Sequence, residues 1–79
     1  MRNTVSMSLF VQKADDWRAS LGLNHGQFAK RYGMSQGQWS KIRTGQRRLT
    51  ARTAGRLLKD NPSLRPYWLA EVLSETDAA

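Results

Sequence analysis

Gln36, Gln38, Ser40 and Lys41 fall within one short run, SQGQWSKIRTG, from residue 35 to residue 45. A glutamine amide holds one acceptor and two donors, so it can pair bidentately with N6 and N7 of adenine. A lysine ammonium can donate to O6 and N7 of guanine. Trp39 and Ile42 make an apolar i, i+3 pair in the same run. If that pair faces inward on a helix, Gln36, Gly37, Gln38, Ser40, Lys41 and Arg43 face outward. Gln36 and Lys41 are then the leading base readers, with Gln38 and Ser40 behind them. Gln38 has a competing role, because three residues after Ser35 it can return a hydrogen bond to the Ser35 amide. Gly37 either lets the helix end approach DNA closely or is merely tolerated there, and the two accounts weigh equally.

The charge map points the same way. Net charge is +7 with a pI near 10.9. Residues 1–24 carry +1, residues 25–59 carry +9 with no acid at all, and residues 60–79 carry −3. A polyanion is the natural partner of such an acid-free block, and nucleic acid leads among polyanions. Solubility alone would not require it. Arg47 and Arg48 follow the Gln36–Lys41 run in a loop and are the best phosphate clamps, joined by Arg43, Thr44 and Gln46. Arg52 reaches the backbone from the next helix. Lys30 and Arg31 fit a phosphate contact or a solvated face about equally well. Arg56 and Lys59 are expected to pair with the acidic C-terminal segment, or to steer DNA without touching it.

These side chains need elements to hold them. Asn24 with Gln27, and Ser35 with Gln38, show the capping-box spacing twice. Leu23 with Phe28, and Met34 with Trp39, add the hydrophobic staple to each. Helices over 25–32 and 36–43 follow, with Gly33 in the turn, where a left-handed residue is expected. Ala29 keeps the crossing close. This is the pattern of a helix-turn-helix.

A first helix begins near Ser8, buries Phe10, Ala14, Trp17 and Leu21, and ends at Gly22. Trp17 reads as a core anchor. Beyond Gly45, Leu49 returns to the core and Thr50 caps a helix over 51–60 that buries Ala51, Ala54, Leu57 and Leu58. Gly55 within it reads as a site of close helix packing. Asn61 and Pro62 break the chain. A fifth helix starts near Leu64 or Pro66, with an apolar face of Leu69, Val72 and Leu73 widened by Tyr67 and Trp68. Residues 1–7 read as a loose arm, 8–74 as one domain, and 75–79 as a short acidic tail.

Composition excludes much else. Seventy-nine residues make one small domain, and with no cysteine neither a disulfide nor a thiolate metal site is expected. A single His without a Cys argues against a metal, and no acid lies near it to build a catalytic pair, so no enzyme and no cofactor are expected. No run of eighteen apolar residues and no signal-peptide pattern occurs, which gives a cytoplasmic expectation without membrane contact.

Residues 23–58, LNHGQFAKRYGMSQGQWSKIRTGQRRLT and the short helix ending in LL, resemble the Cro/C1-type (XRE-type) helix-turn-helix domain of phage and plasmid repressors. Phe28, Ala29, Gly33, Ser35, Gln36, Trp39, Ile42 and Gly45 carry the likeness. It departs at Trp39, where the family usually has Ile, Val or Leu, at His25, often Gln, and at Gly37, where several relatives place a base-reading side chain. The resemblance implies an all-α, compact five-helix lambda-repressor-like fold with helices 2 and 3 as the helix-turn-helix. It implies helix 3 in the major groove with helix 2 across the phosphates, and places His25 where relatives hold a phosphate. A neutral His donor would serve.

The expected function is a small repressor or autoregulator, bacterial or phage- or plasmid-encoded. It would bind double-stranded DNA as a homodimer, at least on DNA, with no small-molecule effector. Tyr67, Trp68, Leu73 and the first helix could supply the dimer surface, or the aromatics could simply close the core. An antitoxin that neutralises a protein partner and autoregulates its operon is the main rival. An RNA binder is a second, weakened because the aromatics lie on apolar stripes.

Overall fold

A computed structural model describes residues 8–78, with side chains through residue 73; the expected arm at residues 1–7 lies outside the described residues. Five α-helices succeed one another, α1 (Leu9–Ser20), α2 (His25–Arg31), α3 (Gln36–Arg43), α4 (Ala51–Asp60) and α5 (Arg65–Ala78), with a 3-10 turn at Pro62–Leu64 before the last. No strand occurs among the described residues. The backbone of α5 runs on to Ala78, into the stretch read as a tail.

Local chemistry sets most helix starts. Ser8, Asn24, Ser35 and Thr50 each take an extended conformation and accept a hydrogen bond from the backbone N–H three residues on. Both capping boxes close in full. Gln27 Oε1 accepts from the Asn24 amide at 2.9 Å while Asn24 Oδ1 accepts from the Gln27 amide at 2.8 Å. Gln38 and Ser35 repeat the exchange at 2.9 and 3.1 Å. The end of α2 is equally local. Gly33 sits at φ 78°, its N–H donates to Lys30 O, and Met34 N–H donates to Ala29 O at 2.8 Å. Those two bonds form a Schellman motif. Arg56 Nη1 adds a third by donating to Tyr32 O at 3.4 Å. It reaches across the face of Gly33, where a Cβ would collide with the guanidinium.

The core is aromatic. Trp39 and Phe28 are fully buried with ring centroids 5.0 Å apart. Phe28 lies 5.0 Å from Tyr32, and Trp17 stands edge-on to Phe28 at 6.0 Å. Trp17 is thus a core anchor. A second pair, Phe10 and Trp68 at 5.1 Å, joins α1 to α5, beside Lys13 over the Tyr67 ring at 5.5 Å. Tyr32 also donates its hydroxyl to Asp60 Oδ2 at 2.8 Å, tying the end of α2 to the end of α4. Burial, and then that bond, push its pKa up to about 12, so the hydroxyl keeps its proton.

Several burial expectations are corrected. Val11 is buried and Leu21 is 44% exposed, because α1 ends before Leu21 completes the stripe. Ala51 is exposed at the first turn of α4, ahead of the packed part of that helix. Gly55 is exposed, and a Cβ there would meet nothing; it is not a close crossing. Leu64 of the 3-10 turn is buried and Tyr67 and Trp68 of α5 pack inward, while Leu69, Val72 and Leu73 are exposed. Trp68 and Tyr67 are the ones that meet α1, at Phe10 and Lys13. Arg56, expected to pair with the acidic segment or to steer DNA, donates to Tyr32 O at the end of α2.

Two glycines should respond in opposite directions. Gly33→Ala puts a Cβ into a left-handed residue and should cost about 1–2 kcal/mol. Gly55→Ala should add up to ~1 kcal/mol, because an exposed helical position gains propensity without a clash. Urea midpoints of the two variants against the parent check both signs.

Candidate nucleic-acid interface

With Trp39 buried and Ile42 6% exposed, the opposite side of α3 carries Gln36, Gly37, Gln38 and Lys41, all exposed, and Ser40, half-buried. They are not equally available. Gln36 lays its amide oxygen toward Gly26 in the first turn of α2. Gln38 spends its oxygen on the Ser35 amide, which leaves its amide NH2 group as donor. Gly37 has open space where a Cβ would stand, with Ser35 Oγ the nearest atom at 3.9 Å. Packing therefore does not demand glycine at that position.

The basic loop after α3 is shaped by the end of that helix. Lys41 O accepts from Gln46 N–H at 2.9 Å and Arg47 N–H at 3.3 Å, and from the Thr44 hydroxyl at 3.1 Å. One carbonyl thus folds residues 44–47 back on the helix, and Thr44 acts as cap. Gln46, Arg47, Arg48 and Arg52 are exposed. A cleft of about 370 Å³ lies beside them, lined by Gln38, Arg47, Arg48, Thr50 and Thr53 together with Gly33, Met34 and Ile42. Donors from α3, the loop and the start of α4 converge there, a set suited to anionic oxygens. Arg43 is half-buried, and its Nε is enclosed with no acceptor among the described residues. That position, next to Ile42, makes it less open than the other arginines.

His25 is placed more specifically than its spacing could show. Trp39 Nε1–H donates to His25 Nδ1 at 3.1 Å. Because Nδ1 accepts, the proton of the neutral ring lies on Nε2, a donor. The expectation that no acid lies near His25 is corrected, because the fold brings Asp15 of α1 to it across ten residues of chain: Asp15 Oδ1 stands 3.7 Å from Nδ1, though it already accepts from Arg18 Nε at 2.8 Å. Arg18 in turn donates to Leu23 O at 2.7 Å, bracing the approach to α2. Burial, then the charges of Arg43 and Arg18, lower the His25 pKa and outweigh the pull of Asp15. The ring is neutral at neutral pH.

The structure thus brings Gln36 to the first turn of α2 beside His25, and Gln38, Arg47, Arg48 and Thr50 to the cleft. The supporting residues Trp39, Asp15, Arg18 and Arg56 are not apparent from the pattern of the outward face. The i, i+3 spacing of Asp15 and Arg18 is a legible signal for their pairing; the others act across helices. Glu71 of α5 also lines a cavity of about 220 Å³ with Arg47 and Arg48, and one of its carboxylate oxygens is enclosed without a partner among the described residues. Those residues hold no group of three His, Cys, Asp or Glu that could bind a metal, and no helix among them is long and apolar enough to cross a membrane.

His25 gives the fold a pH dependence. Its folded pKa lies below the ordinary value of about 6.5, so the unfolded chain binds the proton more readily. The stability is fully present above that value and is lost as pH falls from it toward the folded pKa. Urea midpoints at about pH 7.5 and about pH 5.5 should drop more for the parent than for His25→Gln. Equal drops would place the titration elsewhere.

The chain matches no protein-family model, no curated protein and no solved structure, so the functional reading rests on this geometry.

Proposed function

We propose that this chain is a sequence-specific double-stranded DNA-binding transcriptional regulator with a Cro/C1-type helix-turn-helix at α2 and α3. The observation that carries the reading is the pairing of a rigidly capped α3, whose polar side is exposed, with the basic loop that follows it. In this reading α3 enters the major groove, Gln36 and Lys41 meet base edges, and α2 lies over the phosphates. Arg47, Arg48 and Arg52 bind backbone oxygens, and the neutral His25 donates from Nε2. Gln38 is a helix cap first and a base contact second. The acid-free charge of residues 25–59 supplies the long-range attraction and the salt dependence.

A homodimer on a two-fold operator, with half-sites about 34 Å apart, suits so small a reader. The exposed Leu69, Val72 and Leu73 of α5, with Leu9 of α1, favour a protein contact there, whether a second copy or, in the rival antitoxin reading, a neutralised partner. Repression is the simplest action of such a protein, since occupying an operator suffices. Selecting bound duplexes from a random pool tests the proposal. An enriched two-fold motif supports it; no enrichment over random DNA, together with a stoichiometric protein partner on purification, would favour the antitoxin.

Two substitutions separate the roles. Arg47→Ala should weaken binding to all duplexes alike and lower the slope of log affinity against log salt by about 1. Gln36→Ala should cost ~1–3 kcal/mol on the selected sequence and little on random DNA. Fluorescence anisotropy over a salt series reads both, and equal losses on the two DNAs would remove Gln36 from base reading.

A further inference from the structure

Gly26 is the second residue of α2, and its backbone is ordinary helix, so conformational freedom does not explain a glycine there. Space does. A Cβ built on Gly26 would lie 2.9 Å from Gln36 Oε1, 3.6 Å from Gln36 Cδ and 3.5 Å from Asn24 Oδ1. The Gln36 amide rests in the volume that any other side chain would fill. Its oxygen, not its NH2 group, faces α2, as suits a helix start with unpaired N–H groups and the positive end of the dipole.

We propose that Gly26 is a specificity-determining position, whose missing side chain lets the first turn of α2 hold the Gln36 amide in one orientation for reading adenine. The inference rests on the proposed reading of DNA by Gln36. An amide oxygen has two lone pairs, so one can face α2 while the other accepts from a base. Adenine presents an acceptor at N7 and a donor at N6, which a glutamine with a fixed oxygen and a fixed NH2 group can match together. Guanine presents two acceptors, N7 and O6, and meets that oxygen unfavourably. An amide free to rotate offers its NH2 group to either purine and discriminates less. Because Gln36 is a flexible, exposed side chain, it can yield to a methyl at residue 26 by turning away. The folded structure then survives while the orientation is lost.

Gly26→Ala in the full chain tests this against Gln36→Ala and the parent. The operator position read by Gln36 is identified as the one whose adenine preference Gln36→Ala erases. At that position the adenine-over-guanine ratio should fall about five-fold or more in Gly26→Ala, with a thermal midpoint no lower than the parent's. The side-chain amide resonance missing from Gln36→Ala should also move in the DNA-free Gly26→Ala protein. An unchanged ratio in Gly26→Ala, while Gln36→Ala erases the preference, overturns the role of Gly26 and leaves base reading by Gln36 intact. If Gln36→Ala erases no preference, the reading by Gln36 falls and the inference falls with it.

Discussion

The hydrogen bond from the buried indole of Trp39 to His25 is the constraint on which the candidate edge depends. Trp39 is fully enclosed and packs on Phe28 of α2, so the indole fills the contact between the two helices with a large apolar volume. Its one N–H cannot reach water there, and an unpaired donor in such a place costs about 1–3 kcal/mol. His25 Nδ1 meets it at 3.1 Å. One side chain therefore fixes the separation of α2 and α3, the rotation of α3 about its axis and the tautomer of the histidine. With that rotation set, Gln36, Gly37, Gln38 and Lys41 have to face away from the core.

The charges divide into those that brace this arrangement and those left on its surface. Asp15 and Arg18 tie α1 to the residues before α2. Asp60 is engaged by the Tyr32 hydroxyl, and Arg56 spends a donor on the last turn of α2. Each of these contacts joins or closes elements around the α2–α3 unit. Lys41, Arg47 and Arg52 remain exposed on α3, the loop and the start of α4. The basic excess is thus concentrated by position as well as by number, because the acids lie in the flanking segments and several cations are turned to structural work. A polyanion approaching this side would meet cations and amide donors together.

On α5 the same economy leaves an apolar remainder. Trp68 and Tyr67 are drawn to Phe10 and Lys13 of α1, and Leu64 seals the end of the core. A helix can turn only one face to a given neighbour, so committing the aromatics inward sends Leu69, Val72 and Leu73 outward. The sequence pattern places all five on one broad apolar face, and the physical choice among them is made by α1.

What the residues determine alone is whatever closes within four or five positions. The caps at Asn24 and Ser35, the left-handed Gly33, the span of α3 and the inward pair of Trp39 and Ile42 are all legible in the chain, because each depends on contacts along one helix or turn. The outward candidates Gln36 and Lys41 follow from the same periodicity. Burial of Val11, exposure of Leu21, Ala51 and Gly55, the facing of α5, and the roles of Arg56 and His25 are decided only when helices distant in the chain pack. Periodicity states which residues share a face, not how far a neighbour covers it, and a bond such as that from Trp39 to His25 spans fourteen residues. Gly26 illustrates the boundary. The chain shows a glycine at a helix start, and only the tertiary structure shows that the space it leaves is occupied by Gln36.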